Sequence, residues 1–254
     1  MYDPIKKLGQ NFLTETEIVI PMVHALDLRN DDTVVEIGPG LGIITKVLAD
    51  RLTLETSEIH AVEIDERFAE KLKAMFIENM NVDVVEADFL KWYPTFAPKR
   101  NFKVVGSLPY YITSPIIHSI LEKAEKPEVC VFLIQKEVAQ KIAAKVPDAS
   151  YMSTIVQTFY NVESLDLIHR SRFTPEPEVD GQIIKLTLRR AIKVSPQDIQ
   201  KYESFLHRAF SNPRKMLNKI FSKEEAEKTG MDLTMRAQNL DADSWAEIFR
   251  TIVQ

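Results

Sequence analysis

The chain has 254 residues, 45% hydrophobic and 27% charged, which is enough apolar material for one sizeable core and a small appended domain. A single cysteine excludes an internal disulfide and a cysteine-built zinc site, and no run of about 18 apolar residues offers a membrane span. The formal net charge of -5 is unusual for a nucleic-acid binder, so any phosphate-binding surface must be local.

The amino-terminal run Met1-Tyr2-Asp3-Pro4-Ile5-Lys6-Lys7 lacks a signal-peptide apolar core, and the cytoplasm is the expected compartment. From Thr33 to Leu188, short β-rich runs alternate with helical stretches, the pattern of a parallel sheet covered by helices. The predicted strands are Thr33–Ile37, Glu58–Ile64, Val82–Glu86, Phe102–Ser107 and Val129–Ile134, the last holding Cys130 as a buried thiol. Two later runs, Ile155–Val162 and Gln182–Leu188, flank the proline-rich stretch Thr174-Pro175-Glu176-Pro177 and are expected to close the sheet as an antiparallel pair. After Arg190 the spacing of Tyr202, Phe205, Leu206, Ala209 and Phe210 is helical. Further helical segments are expected at Arg214–Phe221, Lys223–Lys228 and Ser244–Ile252. The expected division is residues 1–190 as an α/β domain and 191–254 as a small all-α domain.

The strongest local signal is Val34-Val35-Glu36-Ile37-Gly38-Pro39-Gly40-Leu41-Gly42, a strand running into a glycine turn that opens a helix. Gly38 and Gly40 allow close backbone approach to a ligand, and the spacing to Gly42 departs from the G-x-G-x-x-G of pyrophosphate-binding turns. Glu36 beside the turn repels pyrophosphate and suits a cationic sulfonium ligand; a mere structural bend is the plain alternative. Glu63, at the end of the next strand, is placed to accept both hydroxyls of a ribose, while Asp65 reads as the cap of a helix over Glu66–Met75. Asp88, after the third strand, could take a hydrogen bond from an adenine amine, against the alternative of a solvent-facing turn aspartate.

The fourth strand ends in Gly106-Ser107-Leu108-Pro109-Tyr110. An aromatic amine such as adenine N6 is a poor nucleophile because its lone pair is delocalised, so acceptors must draw on its hydrogens. Ser107 and the Leu108 carbonyl could do so, Pro109 would stiffen the turn, and Tyr110 could stack on the base. His207 to Lys223 carries Arg208, Arg214, Lys215, Lys219 and Lys223 without an acid, as either a phosphate-binding segment or a solvated helix face.

These motifs, with Lys7–Leu13, Gln135–Ala139 and Phe173–Asp180 in the same order, make the chain resemble the ribosomal RNA adenine N6,N6-dimethyltransferases. That family modifies two adjacent adenosines near the 3′ end of small-subunit ribosomal RNA. The resemblance implies a doubly wound, Rossmann-like, seven-strand methyltransferase sheet with S-adenosylmethionine as cofactor, held by Asn11, Leu13, Gly38, Glu63, Asp88 and Ser107. It further implies Tyr110 and Phe173 as an aromatic pair sandwiching a flipped adenine; without the family, Phe173 reads as a loop residue packed on the core. Arg208, Arg214, Lys215 and Lys219 would engage RNA, and the partner would be a small-subunit precursor particle met by a monomer.

Related methyltransferases of the macrolide-resistance type act on large-subunit RNA and share the core. Arg208-Ala209-Phe210, Arg214–Asn218 and Arg236–Leu240 resemble the small-subunit enzymes' helical domain instead. A slow or inactive RNA-binding assembly factor, a small-molecule methyltransferase and, weakest, a nicotinamide-dependent oxidoreductase are the rival readings. The chain departs from the family in having Ser107 where Asn is usual, and Gly181 and Glu178 where serine and lysine are commoner.

Overall fold

In the computed structural model, which describes residues 9–53, 56–109 and 111–253, the chain begins with a short strand β1 (Phe12–Leu13) and helix α1 (Thr16–Ala25). There follow β2 (Thr33–Ile37), α2 (Ile43–Arg51), β3 (Glu58–Glu63), α3 (Glu66–Met75), β4 (Val82–Glu86), α4 (Phe89–Trp92), β5 (Phe102–Ser107), α5 (Thr113–Glu122) and β6 (Val129–Gln135). The remainder is α6 (Lys136–Ala143), α7 (Tyr151–Phe159), β7 (Tyr160–Ile168), β8 (Phe173–Thr174), β9 (Gly181–Leu188), α8 (Ile199–Ala209), α9 (Lys223–Thr229) and α10 (Ala242–Val253). Among the described residues no helix is long and apolar enough to cross a membrane.

Seven strands form one sheet in the order β4-β3-β2-β5-β6-β9-β7, parallel from β4 to β6, with β9 antiparallel to β6. Strands buried on both faces need near-continuous apolar runs, and β2 and the apolar stretch Val129–Ile134 of β6 are buried throughout. On one face Val34, Ile59, Val105 and Val131 pack with Ile18, Met22, Ile44 and Leu48 of α1 and α2. On the other, Phe102 meets Tyr93 and Phe96, which follow α4.

The strand order reverses between β2 and β5, the place where open α/β sheets hold ligands beyond the strands' carboxyl ends. Register sets those ends side by side: Ile37 stands opposite both Val62 and Gly106, and Glu63 opposite Glu86. A separate antiparallel pair, β1 with β8, sets Leu13 opposite Phe173.

The chain divides into a sheet unit, residues 1–139 and 163–187, and a helical unit, residues 140–162 and 188–254. The expected boundary near 190 lies close to the chain's return to the helical unit at Leu188. Residues 140–162, however, join the helical unit and not the α/β part expected from sequence. Within the helical unit, the Thr158 and Tyr202 hydroxyls are 2.9 Å apart, Tyr151 stacks on His207, and Arg189 donates to the Gln157 carbonyl and to Asp243. Tyr202, Phe205, Phe221, Trp245 and Phe249 interlock as its aromatic core, with the Trp245 indole donating to the Ala237 carbonyl at 3.2 Å.

Two expected elements are corrected. Ile155–Phe159 are helical, and strand β7 starts only at Tyr160. The β-branched residues of this run favour a strand, but Ser150 and Ser153 cap the helix reciprocally, and Ile155, Val156 and Phe159 all find burial along it. Arg214–Phe221 is not a helix but a single tight turn at Leu217–Lys219. Its Leu217 and Asn218 amides donate to the Met235 and Leu233 carbonyls, and Met216 bridges Arg236, so a neighbouring segment takes the amides that a continuous helix would need and only the short turn after Met216 closes on itself.

Candidate active site

The glycine turn after β2 is shaped by backbone geometry that only glycine adopts readily, with φ of 64° at Gly38 and 53° at Gly40. The Gly38 amide donates to the Val62 carbonyl at 3.0 Å, which carries the β2–β3 ladder one step into the turn. A Cβ at Gly38 would meet nothing within 4 Å, so the turn borders open space. That space is a cavity of about 270 Å³ at the strands' carboxyl ends, lined by residues from six segments of the sheet unit.

Glu63 is the hub of its wall. One carboxylate oxygen accepts from the Gly40 amide and the other from the Asp65 amide, both at 2.9 Å, while its backbone carbonyl accepts from Ala87. The side chain is almost wholly buried; burial raises its pKa, and the two amide hydrogen bonds oppose that rise. A carboxylate so fixed is preorganised to accept further hydrogen bonds from a ligand in the cavity. Asp65 caps α3 as expected, accepting from the Arg67 amide, and also holds Gln10 and the Arg67 guanidinium. Arg67 depresses the Asp65 pKa to about 2.

Asp88 lines the cavity from the tip of β4, and one of its oxygens caps α4 through the Leu90 amide at 3.0 Å. Asn11 and Leu13 line it from β1 and the residue before it, with the Asn11 amide donating to the Gly9 carbonyl at 3.3 Å. Glu36 departs from its expected place beside the ligand. It is fully buried behind the turn, where Thr45 of α2 donates to one oxygen at 2.6 Å and the other oxygen has no partner among the described residues. Burial, with the nearby Glu63 charge, pushes its pKa up to about 8, so it stands as a neutral acid near neutral pH. Of the two glutamates, the one facing the cavity is therefore Glu63, on the strand beside that of Glu36.

The opposite wall is the turn after β5. Ser107, Leu108 and Pro109 all line the cavity, and the Leu108 amide is held by the Leu133 carbonyl at 2.9 Å. Among the described residues the Ser107 hydroxyl has no hydrogen-bond partner. Gly106 keeps this turn close to β2, since a Cβ there would stand 2.8 Å from the Ile37 carbonyl oxygen. Phe173 reaches the same cavity from β8 while packing in the core beside Leu13 and Ile183, so its cavity position and its core packing are met together. Tyr110 lies outside the described residues. Sequence reasoning did not single out Phe12, Ile64 and Tyr111, which also line the cavity; Ile64 is 51% exposed, an apolar residue at a strand tip directly after Glu63, and that position was its signal.

The basic segment separates into two kinds of residue. Arg208 forms a two-pronged pair with Glu225, donates to the Ile220 carbonyl and lies over the Phe221 ring, so its charge is spent inside the helical unit. Arg214, Lys215 and Lys219 are exposed and form no ion pair among the described residues.

An open, mostly parallel sheet with a glycine turn and acidic strand tips facing one cavity at its switch point defines an α/β methyltransferase fold. Residues 4–254 match the family described as ribosomal RNA adenine dimethylase. The chain is 31% identical over 253 residues to ribosomal RNA small subunit methyltransferase A of Sulfurihydrogenibium sp., covering 98% of this chain and 96% of that one. Its structure is similar to that of a dimethyladenosine transferase from Plasmodium falciparum, with a TM-score of 0.79, 25% identity, and coverage of 93% of this chain and 95% of that chain. It is also similar to the 23S rRNA methyltransferase ErmE, with a TM-score of 0.75, 26% identity, and coverage of 96% and 100%. The protein belongs to the ribosomal RNA adenine dimethylase family.

The buried Glu36 gives a pH-dependent test of this geometry. Its carboxyl has an ordinary pKa near 4.5 when unfolded and one of about 8 when folded, so the native state holds the extra proton between those values. Stability therefore falls as pH rises through that window, because unfolding releases a group that would rather ionise. Glu36→Gln removes the titration, and its melting temperature relative to wild type should climb from about pH 5 to about pH 8. Parallel melting profiles across that range would show that Glu36 does not titrate there.

Proposed function

We propose that this protein transfers methyl groups from S-adenosylmethionine to N6 of two adjacent adenosines near the 3′ end of small-subunit ribosomal RNA, giving N6,N6-dimethyladenosine. The observation that carries this reading is one cavity bordered on one side by Gly38, Glu63 and Asp88 and on the other by Ser107, Leu108, Pro109 and Phe173. The cofactor fits the first side: a glycine turn with open space at Gly38, a backbone-held carboxylate for a ribose, and an aspartate at the next strand tip for the adenine amine. Bound there, S-adenosylmethionine supplies an electrophilic methyl group on its sulfonium.

The chain's own residues prepare the nucleophile. The Ser107 hydroxyl and the Leu108 carbonyl accept the hydrogens of the target amine, which localises the nitrogen lone pair and directs it along the transfer axis. Pro109 limits the turn's freedom, so the two acceptors stay in place without reorganising during the reaction. Phe173, with Tyr110, holds the adenine after it leaves its stack. Asn11 and Leu13 close the amino-terminal side of the cofactor site. Arg214, Lys215 and Lys219, exposed cations without acidic partners among the described residues, bind RNA phosphates, and Arg208 supports their segment through its bonds to Ile220 and Glu225. The finer reading is a cytoplasmic monomer acting on a small-subunit precursor particle.

Small-subunit particles from cells lacking the modification, incubated with the protein and tritiated S-adenosylmethionine, should acquire label in adenosine and block primer extension near the RNA 3′ end. No label in these particles, with or without label when large-subunit RNA is offered in their place, would overturn the reading. Ser107→Ala should slow single-turnover transfer by about 10²–10³ while leaving cofactor affinity near wild type, the usual loss for one preorganised acceptor. A wild-type rate in that variant would leave positioning to the Leu108 carbonyl and the aromatic residues. Charge reversal at Arg214 and Lys215 should weaken particle binding and flatten its salt dependence without changing cofactor affinity. An unaltered salt slope would return these residues to the role of a solvated surface.

A further inference from the structure

The turn after β5 carries a side chain to which the proposed reaction gives no role. Tyr111 follows the Ser107–Tyr110 run and lines the cavity with Ser107, Leu108 and Pro109. Of the exposed large apolar side chains among the described residues, only Ile64 and Tyr111 line this cavity, and Ile64 follows Glu63 on the side proposed for the cofactor. Single exposed apolar residues are ordinary on a protein surface. Tyr111 differs in that its ring is 57% exposed at the rim of a site and is held in place there. The Ile112 amide donates to the Pro109 carbonyl at 3.2 Å and the Ile116 amide to the Ile112 carbonyl at 3.0 Å, which closes the backbone around Tyr111 and leads it into α5. Gly9, with φ of 58°, lies against the ring: a Cβ there would stand 3.1 Å from both Cδ1 and Cε1 of Tyr111, tighter than ordinary contact. The Asn11 side-chain amide donates to the Gly9 carbonyl at 3.3 Å, so the segment touching the ring is itself held. The result is an aromatic ring packed along one edge, open elsewhere, and in place before a substrate arrives.

We propose that Tyr111 is a stacking platform for the nucleotide next to the target adenosine, holding that neighbour at the rim while the target base is turned into the cavity. The inference rests on the function proposed above and adds a contact to it: Phe173 and Tyr110 serve the base that reacts, and Tyr111 serves the one beside it. Turning a base out of its stack leaves its neighbour with an uncovered face, and an aromatic side chain replaces the lost partner. Stacking on a π face tolerates any base and needs no particular hydrogen-bonding edge, so the same ring can serve whichever of two adjacent adenosines is being methylated. Ser107 and Leu108, assigned to the target amine, and Tyr111 line one cavity of about 270 Å³, which keeps acceptors and ring within reach of consecutive nucleotides on one strand.

The test compares wild type with Tyr111→Ala and Tyr111→Phe in single-turnover methylation of small-subunit particles lacking the modification, at particle concentrations below saturation. Tyr111 is exposed, so its truncation leaves the core intact. Tyr111→Ala should slow transfer about tenfold, the order of losing one base–aromatic stack, and Tyr111→Phe, which keeps the ring, should recover the rate. Equal rates for wild type and Tyr111→Ala overturn the proposal, as does a Tyr111→Phe variant as slow as Tyr111→Ala. Affinity for S-adenosylhomocysteine should match wild type in both variants; a loss of affinity in Tyr111→Ala as large as its loss of rate would make the ring a cover for the cofactor and overturn the proposal. Two further particles, in which uridine replaces one or the other of the adjacent adenosines, identify what the ring touches, because uridine stacks more weakly than adenosine. With methylation of the remaining adenosine followed, the wild-type advantage over Tyr111→Ala should shrink in one of the two, whichever side of the target the ring faces. A merely structural ring would leave that advantage unchanged in both, and that result overturns the proposal. Wild-type protein that methylates no particle would overturn the function itself, an outcome separate from any result for Tyr111.

Discussion

The Glu63 carboxylate, with the Gly40 amide on one oxygen and the Asp65 amide on the other, is the contact on which the site depends. It ties the turn after β2 to the tip of β3, and through Asp65 to the amino-terminal end of α3 and to Gln10. Without it the glycine turn would have many conformations open to it, because the freedom that lets Gly38 and Gly40 form the turn also lets them leave it. The two amide bonds keep the carboxylate ready for a ligand although burial disfavours its charge.

Two acids within the same strand pair are thereby given different work. Glu36 and Glu63 sit on neighbouring parallel strands, but Glu36 is enclosed in the sheet unit's core with a threonine hydroxyl as partner, whereas Glu63 stands at a strand tip where backbone amides are free. The first is held neutral near pH 7 and fastens α2 to β2; the second faces the cavity. Their charges would repel if both ionised, which is one of the causes raising the Glu36 pKa.

The RNA contact proposed for the helical unit rests on charge as much as on packing. The net acidity of the chain does not prevent RNA binding if exposed cations are grouped and left free of acidic neighbours. Arg208 is paired with Glu225 and cannot serve as a primary phosphate contact without breaking that pair, while Arg214, Lys215 and Lys219 are free to do so. In the helical unit the residues holding the fold and those exposed to a partner are therefore distinct, although they are close in sequence.

Strand identity, glycine turn, acidic tips and the Ser107–Tyr110 run were legible in the sequence because each is a local pattern: apolar runs of strand length, glycines where the backbone turns, and polar residues at strand ends. The helix over Ile155–Phe159 was not, since β-branched content argued for a strand while a two-serine cap and burial along the helix decided otherwise. The turn at Arg214–Phe221 escaped for a related reason, the Leu217 and Asn218 amides being claimed by the distant Met235 and Leu233 carbonyls. That Glu36 turns away from the cavity was decided only in three dimensions, since it is buried in the core while Glu63, already singled out in the sequence, lines the cavity at the rim. Tyr111 shows the same limit most plainly. In sequence it is only one more tyrosine after the Ser107–Tyr110 run, and its place at the cavity rim depends on Gly9, which long-range folding brings against its ring.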